Sequence, residues 1–157
     1  MTSKPTKFNE GEAHRHFSAH CFNRAWDLID KPDRSAEQDE EMLRLSYASL
    51  YHWTQRPDCT PENLSIAYWQ LSRIYAILHK QDDARNYGQK SLHFGQQKGV
   101  QPVILGYACE ALARAEAQSG NRSQAGKYLT QARQLAEGLA AEDKKQLLAD
   151  LETIKLP

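Results

Sequence analysis

Slid against itself by 41 residues, the segment 61–98 of this chain falls on the segment 102–139. Leu64 lands on Leu105, Ala67 on Ala108, Leu71 on Leu112, Arg73 on Arg114, Ala76 on Ala117, Ala84 on Ala125 and Tyr87 on Tyr128. A period of this length marks stacked supersecondary units, each too small to bury its apolar face alone. The apolar residues recur three and four apart, the spacing of one helix face. No stretch alternates apolar and polar residues as a half-buried strand does. The fold class that follows is all-α: an α-solenoid of about three antiparallel helical hairpins plus a C-terminal capping helix.

Helix-end signals set the boundaries. Asn9 with Glu12, Ser35 with Gln38 and Asn121 with Gln124 each read as an N-cap and its partner three residues on. Thr60-Pro61-Glu62 supplies a cap, a proline whose missing N–H costs nothing in a first turn, and an acid for the helix dipole. Gly99 closes one helix and Pro102 opens the next. The spans predicted are 10–30, 35–56, 61–79, 82–98, 102–119, 122–139 and 142–154. Residues 1–8 are expected to form a flexible tail, and 9–157 a single domain. The hairpin 10–56 has no clean match at the 41-residue offset; Ala48, 43 residues before Ser91, suggests a degenerate first copy. Leu147, Leu148, Leu151 and Ile154 line one side of the last helix, which suits a terminal cap.

Leu112-Ala113, Gly120-Asn121, Ala125 and Ala132 resemble the tetratricopeptide repeat in its pattern of large–small pair, turn glycine and two packing alanines. Leu71-Ser72, Tyr75, Ala84 and Ser91 stand in the corresponding places of the preceding copy, with His79 where the glycine belongs. The resemblance covers residues 61–139. The chain also resembles short bacterial tetratricopeptide-like proteins of no assigned role, through Phe22-Asn23-Arg24-Ala25-Trp26-Asp27-Leu28 and Tyr51-His52-Trp53. The repeat resemblance implies a fold that binds rather than catalyses; the second implies a fold and no activity.

Lysine plus arginine equal aspartate plus glutamate at 20 each, well mixed along the chain. That balance lacks the electrostatic footprint of a nucleic-acid or anionic-membrane binder. No apolar run reaches the length of a membrane span. The N-terminus carries no hydrophobic stretch, and three widely spaced cysteines, Cys21, Cys59 and Cys109, do not form a disulfide framework; both features point to the cytoplasm. Cys21 and Cys109 fall on apolar stripes, and Cys59 sits beside Asp58, so none reads as an activated nucleophile. The run from Gly120 to Gly126-Lys127 has the wrong spacing for a phosphate loop and no preceding strand. His16 and His20 share one helix face but lack convergent further ligands, so no metal and no cofactor are expected. The chain therefore reads as a non-enzyme.

A binding surface is legible from register. Ile66, Trp69, Arg73 and Ile77 lie opposite the stripe that meets the partner helix, and one period later the same positions read Tyr107, Glu110, Arg114 and Gln118. Parallel neighbouring helices would bring Arg73 and Arg114 to about 10 Å of each other. Two arginines beside two aromatic rings suit a carboxylate-bearing peptide. Equally, the arginines pair with Glu110 as a structural network. The candidate site is Trp69, Arg73, Tyr107, Glu110 and Arg114, with Asn23 and His52 from the first hairpin. The expected partner is a protein or peptide held in a concave groove. The alternative is a sensor of a small ligand or metal, using the polar face of the first helix and the groove arginines. A homodimer through the last helix is expected because its leucines exceed what a cap needs.

Overall fold

The computed structural model describes residues 8–157. Of the expected tail, all but Phe8 lies outside the described residues. Among those residues there are seven helices and no strand: α1 Glu10–Ile29, α2 Ala36–Thr54, α3 Pro61–Ile77, α4 Gln81–Gly95, α5 Pro102–Gln118, α6 Arg122–Ala136 and α7 Ala141–Glu152. The helices α4 and α6 end about a turn earlier than their sequence suggests, because Gln96 and Glu137 close them. The caps form where the sequence places them. Asn9 accepts from the Glu12 amide, Asn121 accepts from the Gln124 amide, and Ser35 and Gln38 form a reciprocal box. Thr60 forms a box as well, with Asn63 rather than an acid as its partner.

The helices pack most closely as α1 with α2, α3 with α4, and α5 with α6. The first two pairs cross antiparallel at buried serines. Ser65 and Ser91 each donate to the other's carbonyl, at 2.8 and 2.9 Å, and Ser72 Oγ donates to the Ala84 carbonyl at 2.7 Å. In the first pair Ser49 Oγ donates to the Ser18 carbonyl at 2.7 Å. The register of that pair is therefore set by Ser49, not by Ala48. The crossing serines are 31 residues apart in the first pair and 26 in the second, which is why the 41-residue match fails there. The additional residues lie partly in the longer connection between Ile29 and Ala36 and partly in the longer stretch of α2 that precedes Ser49. Arg34 holds the connection closed, donating to the carbonyls of Leu28, Ile29 and Lys31 and, at 2.8 Å, to Asp39.

The second and third pairs repeat one another atom for atom at their turns. Lys80 N–H donates to the Tyr75 carbonyl at 2.9 Å, and 41 residues on Asn121 N–H donates to the Glu116 carbonyl at 2.9 Å. His79 and Gly120 both take positive φ there, 56° and 79°. Leu71 and Leu112 are fully buried, as are Ala84 and Ala125. The first helices of the three pairs run parallel: Gln118 of α5 donates to the Ala76 carbonyl of α3, and the Trp26 ring of α1 lies 5.4 Å from that of Trp69.

The helix α7 closes the third pair. A Cβ on Gly106 would lie 2.7 Å from Leu147 Cδ2, so the absence of a side chain there is what admits Leu147. Leu147 and Leu151 are buried against Cys109, Ala113, Leu129, Ala132 and Ala136, with Leu148 and Ile154 packed beside them. Of the four residues on which the dimer expectation rested, Leu147 and Leu151 are buried within the chain and Leu148 and Ile154 are half-buried.

Left-handed backbone at His79 costs a β-carbon clash that glycine avoids, offset in part by the greater freedom glycine gives the unfolded chain. His79→Gly should raise the free energy of unfolding by about 0.5–1 kcal/mol, and Gly120→Ala should lower it by a similar amount, in urea titrations. Leu112→Ala should cost about 2–5 kcal/mol in the same measurement.

Candidate functional site

The parallel helices α1, α3 and α5 form one face, and the residues singled out by register lie on it in layers. The middle layer is a row of rings. Trp26, Trp69 and Tyr107 follow one another across the three helices, with centroids 5.4 and 5.3 Å apart.

One layer towards the helix C-termini, a single carboxylate gathers the polar groups. Glu110 has a side chain only 1% exposed. It accepts from Trp69 Nε1 at 2.9 Å, from Arg73 Nη1 at 3.0 Å, and from Arg114 Nε and Nη2 at 2.9 and 2.6 Å. Four donors converge because a helix places Glu110 and Arg114 one turn apart on one face, while the 41-residue period sets Trp69 level with Glu110. Arg114 then reaches α7, donating to the Thr153 hydroxyl at 2.8 Å and to the Asp150 carbonyl at 3.3 Å. Burial, and then the charge of Glu110, raise the Asp150 carboxyl above its ordinary range, against the pull of Arg73 and Arg114. Burial and the charge of Asp150 push the Tyr107 hydroxyl up to about 12, so it stays a neutral donor at physiological pH.

Two positive and two negative charges make this layer neutral overall. The arginines do not stand as a pair of free forks. Arg73 keeps part of its guanidinium available, since its only hydrogen bond among the described residues is the one to Glu110. Its side chain is 21% exposed and faces a polar hollow that Lys31, Arg114 and Gln118 also line.

Towards the helix N-termini the face is apolar. A hollow of about 200 Å³ is lined by Ser65, Ile66, Trp69, Ile104 and Tyr107. A second, of about 150 Å³, is lined by Ala19, Phe22, Asn23, Trp53, Asn63 and Ile66. Ile66 is common to both, so the two hollows adjoin across α3.

Six of the seven candidate residues therefore share this face. Asn23 sits in the second hollow, and Trp69, Arg73, Tyr107, Glu110 and Arg114 form the two layers beside it. His52 does not join them. Its ring packs on His14, Phe17 and Tyr51, on another side of the α1/α2 pair. Trp26, Trp53, Ile104, Asp150 and Thr153 escaped the register argument. For Asp150 a signal existed: one further period beyond Glu110 reaches the turn of α7 that carries it.

The remaining reactive groups have local roles. Burial raises the thiols of Cys21, Cys59 and Cys109, the last to about 12. His16 and His20 stack at 5.1 Å on the exposed side of α1, and among the described residues no three histidine, cysteine or acidic side chains converge as metal ligands. The Tyr47 hydroxyl lies 2.9 Å from that of Tyr75 and 2.6 Å from that of Tyr87, tying α2 to α3 and α4. No helix among the described residues is long and apolar enough to cross a membrane. Comparison with protein-family models, with curated proteins and with solved structures finds no match for this chain.

Removing Glu110 would leave two poorly solvated guanidinium groups and an indole N–H without their acceptor. Glu110→Ala should cost about 3 kcal/mol in urea unfolding, and Glu110→Gln less, because the amide still accepts from Trp69.

Proposed function

We propose that this chain is a non-enzymatic binding module, built as a tetratricopeptide-like stack, that takes an extended or helical segment of a protein across the α1/α3/α5 face. The observation that carries this reading is the pair of adjoining apolar hollows with Ile66 between them. Their walls are half-buried aromatic and branched side chains, which supply contact area at low entropic cost. Each hollow has room for one apolar side chain. The affinity comes from these anchors. The arginines play a lesser part than two free forks would, because Glu110 neutralises them; Arg73 and Lys31 receive an acidic group of the ligand at the polar end of the face. Three unpaired thiols suit work in a reducing cytoplasm.

The test is selection of peptides from a displayed random library, followed by affinity measurement on purified variants. Selected peptides should share two apolar residues. Ile66→Glu should weaken them by at least about tenfold, or 1.4 kcal/mol, while the helical circular dichroism is kept. Arg73→Ala should weaken mainly those that carry an acid. Binding by folded Ile66→Glu at wild-type strength would move the function to another surface.

A further inference from the structure

The contact between His14 of α1 and His52 of α2 obeys a stricter rule than an ordinary hydrogen bond. The two Nδ1 atoms lie 2.8 Å apart. At that distance one nitrogen must carry a proton and the other a lone pair, since two lone pairs repel and two N–H groups clash. The pair therefore has one proton between its rings. A first additional proton goes to the outward Nε2 of the donor ring and strengthens the bond, because the donor is then charged. Glu10 Oε1, 3.8 Å from His14 Nε2, favours His14 over His52 in that donor role. A second proton has one place left, the Nδ1 lone pair of His52, which is the acceptor of the bond. Its arrival turns an attraction into two facing N–H groups on two cations.

The surroundings offer that second charge the C-terminal dipole of α2, in whose last turn His52 stands, but, among the described residues, no carboxylate. The His52 ring lies against Phe17 and Tyr51, at 5.3 and 5.4 Å. From α1, Glu10 and Glu12 stand on the His14 side, with Arg15 beside them, and from the turn after α2 comes Arg56, itself bound to Asp58. Among the described residues no carboxylate pairs with His52. Burial and the neighbouring His14 both hold the His52 imidazole below its ordinary range.

His52 is followed by Trp53, whose ring is a wall of the Asn23–Ile66 hollow. The Arg56 guanidinium lies over that ring at 3.9 Å and also donates to Ser18 Oγ at 2.9 Å. A turn earlier Ser49 is locked to the Ser18 carbonyl. The last turn of α2 thus lies between two ties to Ser18 of α1, and its movement breaks the second of them, the Arg56 bond. We propose that the His14–His52 pair is a proton-operated latch: a second proton parts the two rings, and the last turn of α2 moves away from α1, taking the Trp53 wall of the hollow with it. That this regulates ligand binding rests on the function proposed above; the movement itself does not.

The experiment is a pH titration of the full chain by nuclear magnetic resonance, following the imidazole signals and the Trp53 indole N–H with no ligand present. The His52 signal should titrate below the ordinary histidine range, and the Trp53 signal should shift with that step. In His14→Gln the remaining His52 should titrate in a single step that lies higher than in the wild type, because the charge of His14 is gone while burial remains, with Trp53 no longer responding in that step. The double variant His16→Gln/His20→Gln should behave as wild type. Because folded His52 takes its proton less readily than the unfolded chain does, the stability tied to it is complete above about pH 6.5 and lost as pH falls below that value. A His52 titration that leaves Trp53 unmoved would overturn the proposal, as would a wild-type Trp53 response in His14→Gln. Should that variant fail to fold, the wild-type titration alone decides.

Discussion

A buried carboxylate is stable only when every charge and donor around it is in place, and Glu110 is such a group. Its acceptors are filled by Trp69 and Arg73 of α3 and by Arg114 of α5. Arg114 in turn carries the network to Thr153 just beyond α7. Three segments distant in sequence must assemble before the charge is compensated. Partial assembly leaves an uncompensated ion in a poorly solvated place, which is strongly unfavourable. The network therefore acts less as glue than as a check on register. A one-residue slip of α5 against α3 would swing Glu110 about 100° around its helix and away from its donors.

That check also sets the chemistry of the face above it. Because the arginines are neutralised from within, the exposed part of the layer is the edge of Arg73 and the rings of Trp69 and Tyr107. The surface is thus mainly apolar and aromatic with a mildly basic end. A groove of this composition selects by shape and by spacing of apolar anchors. It selects less by net charge than two unpaired arginines would.

The repeat was legible because its cause is local. Leu71 and Leu112, Ala84 and Ala125, and the two turns at His79 and Gly120 hold the same jobs in the same register, so identical residues recur. The first pair escaped because its connection and the stretch of α2 before Ser49 are longer: Ser49 does the work of Ser91, but Ser18 sits further from it than Ser65 does from Ser91. The candidate face was mostly legible for the same reason as the repeat, since helix periodicity plus the 41-residue offset brings Trp69, Arg73, Glu110 and Arg114 together. His52 was misplaced because nothing in its spacing tells which side of an α1/α2 pair it takes. The His14 contact, the Trp53 wall and the reach of Arg114 into α7 are tertiary facts with no periodic trace.

The buried crossings change character along the chain. In the first pair the interior is Ser18, Ser46 and Ser49 beside Cys21, Ala25 and Met42, and Ser46 Oγ has no hydrogen-bond partner among the described residues. In the second pair Ser65 and Ser91 satisfy one another. In the third the same crossing is Gly106 and Ala132, and it is sealed by leucines. Water competes for hydroxyl-to-carbonyl bonds and has nothing to offer a methyl contact. The first crossing therefore depends on a hydroxyl-to-carbonyl bond whose partners water could replace, and the third on methyl contacts that it could not.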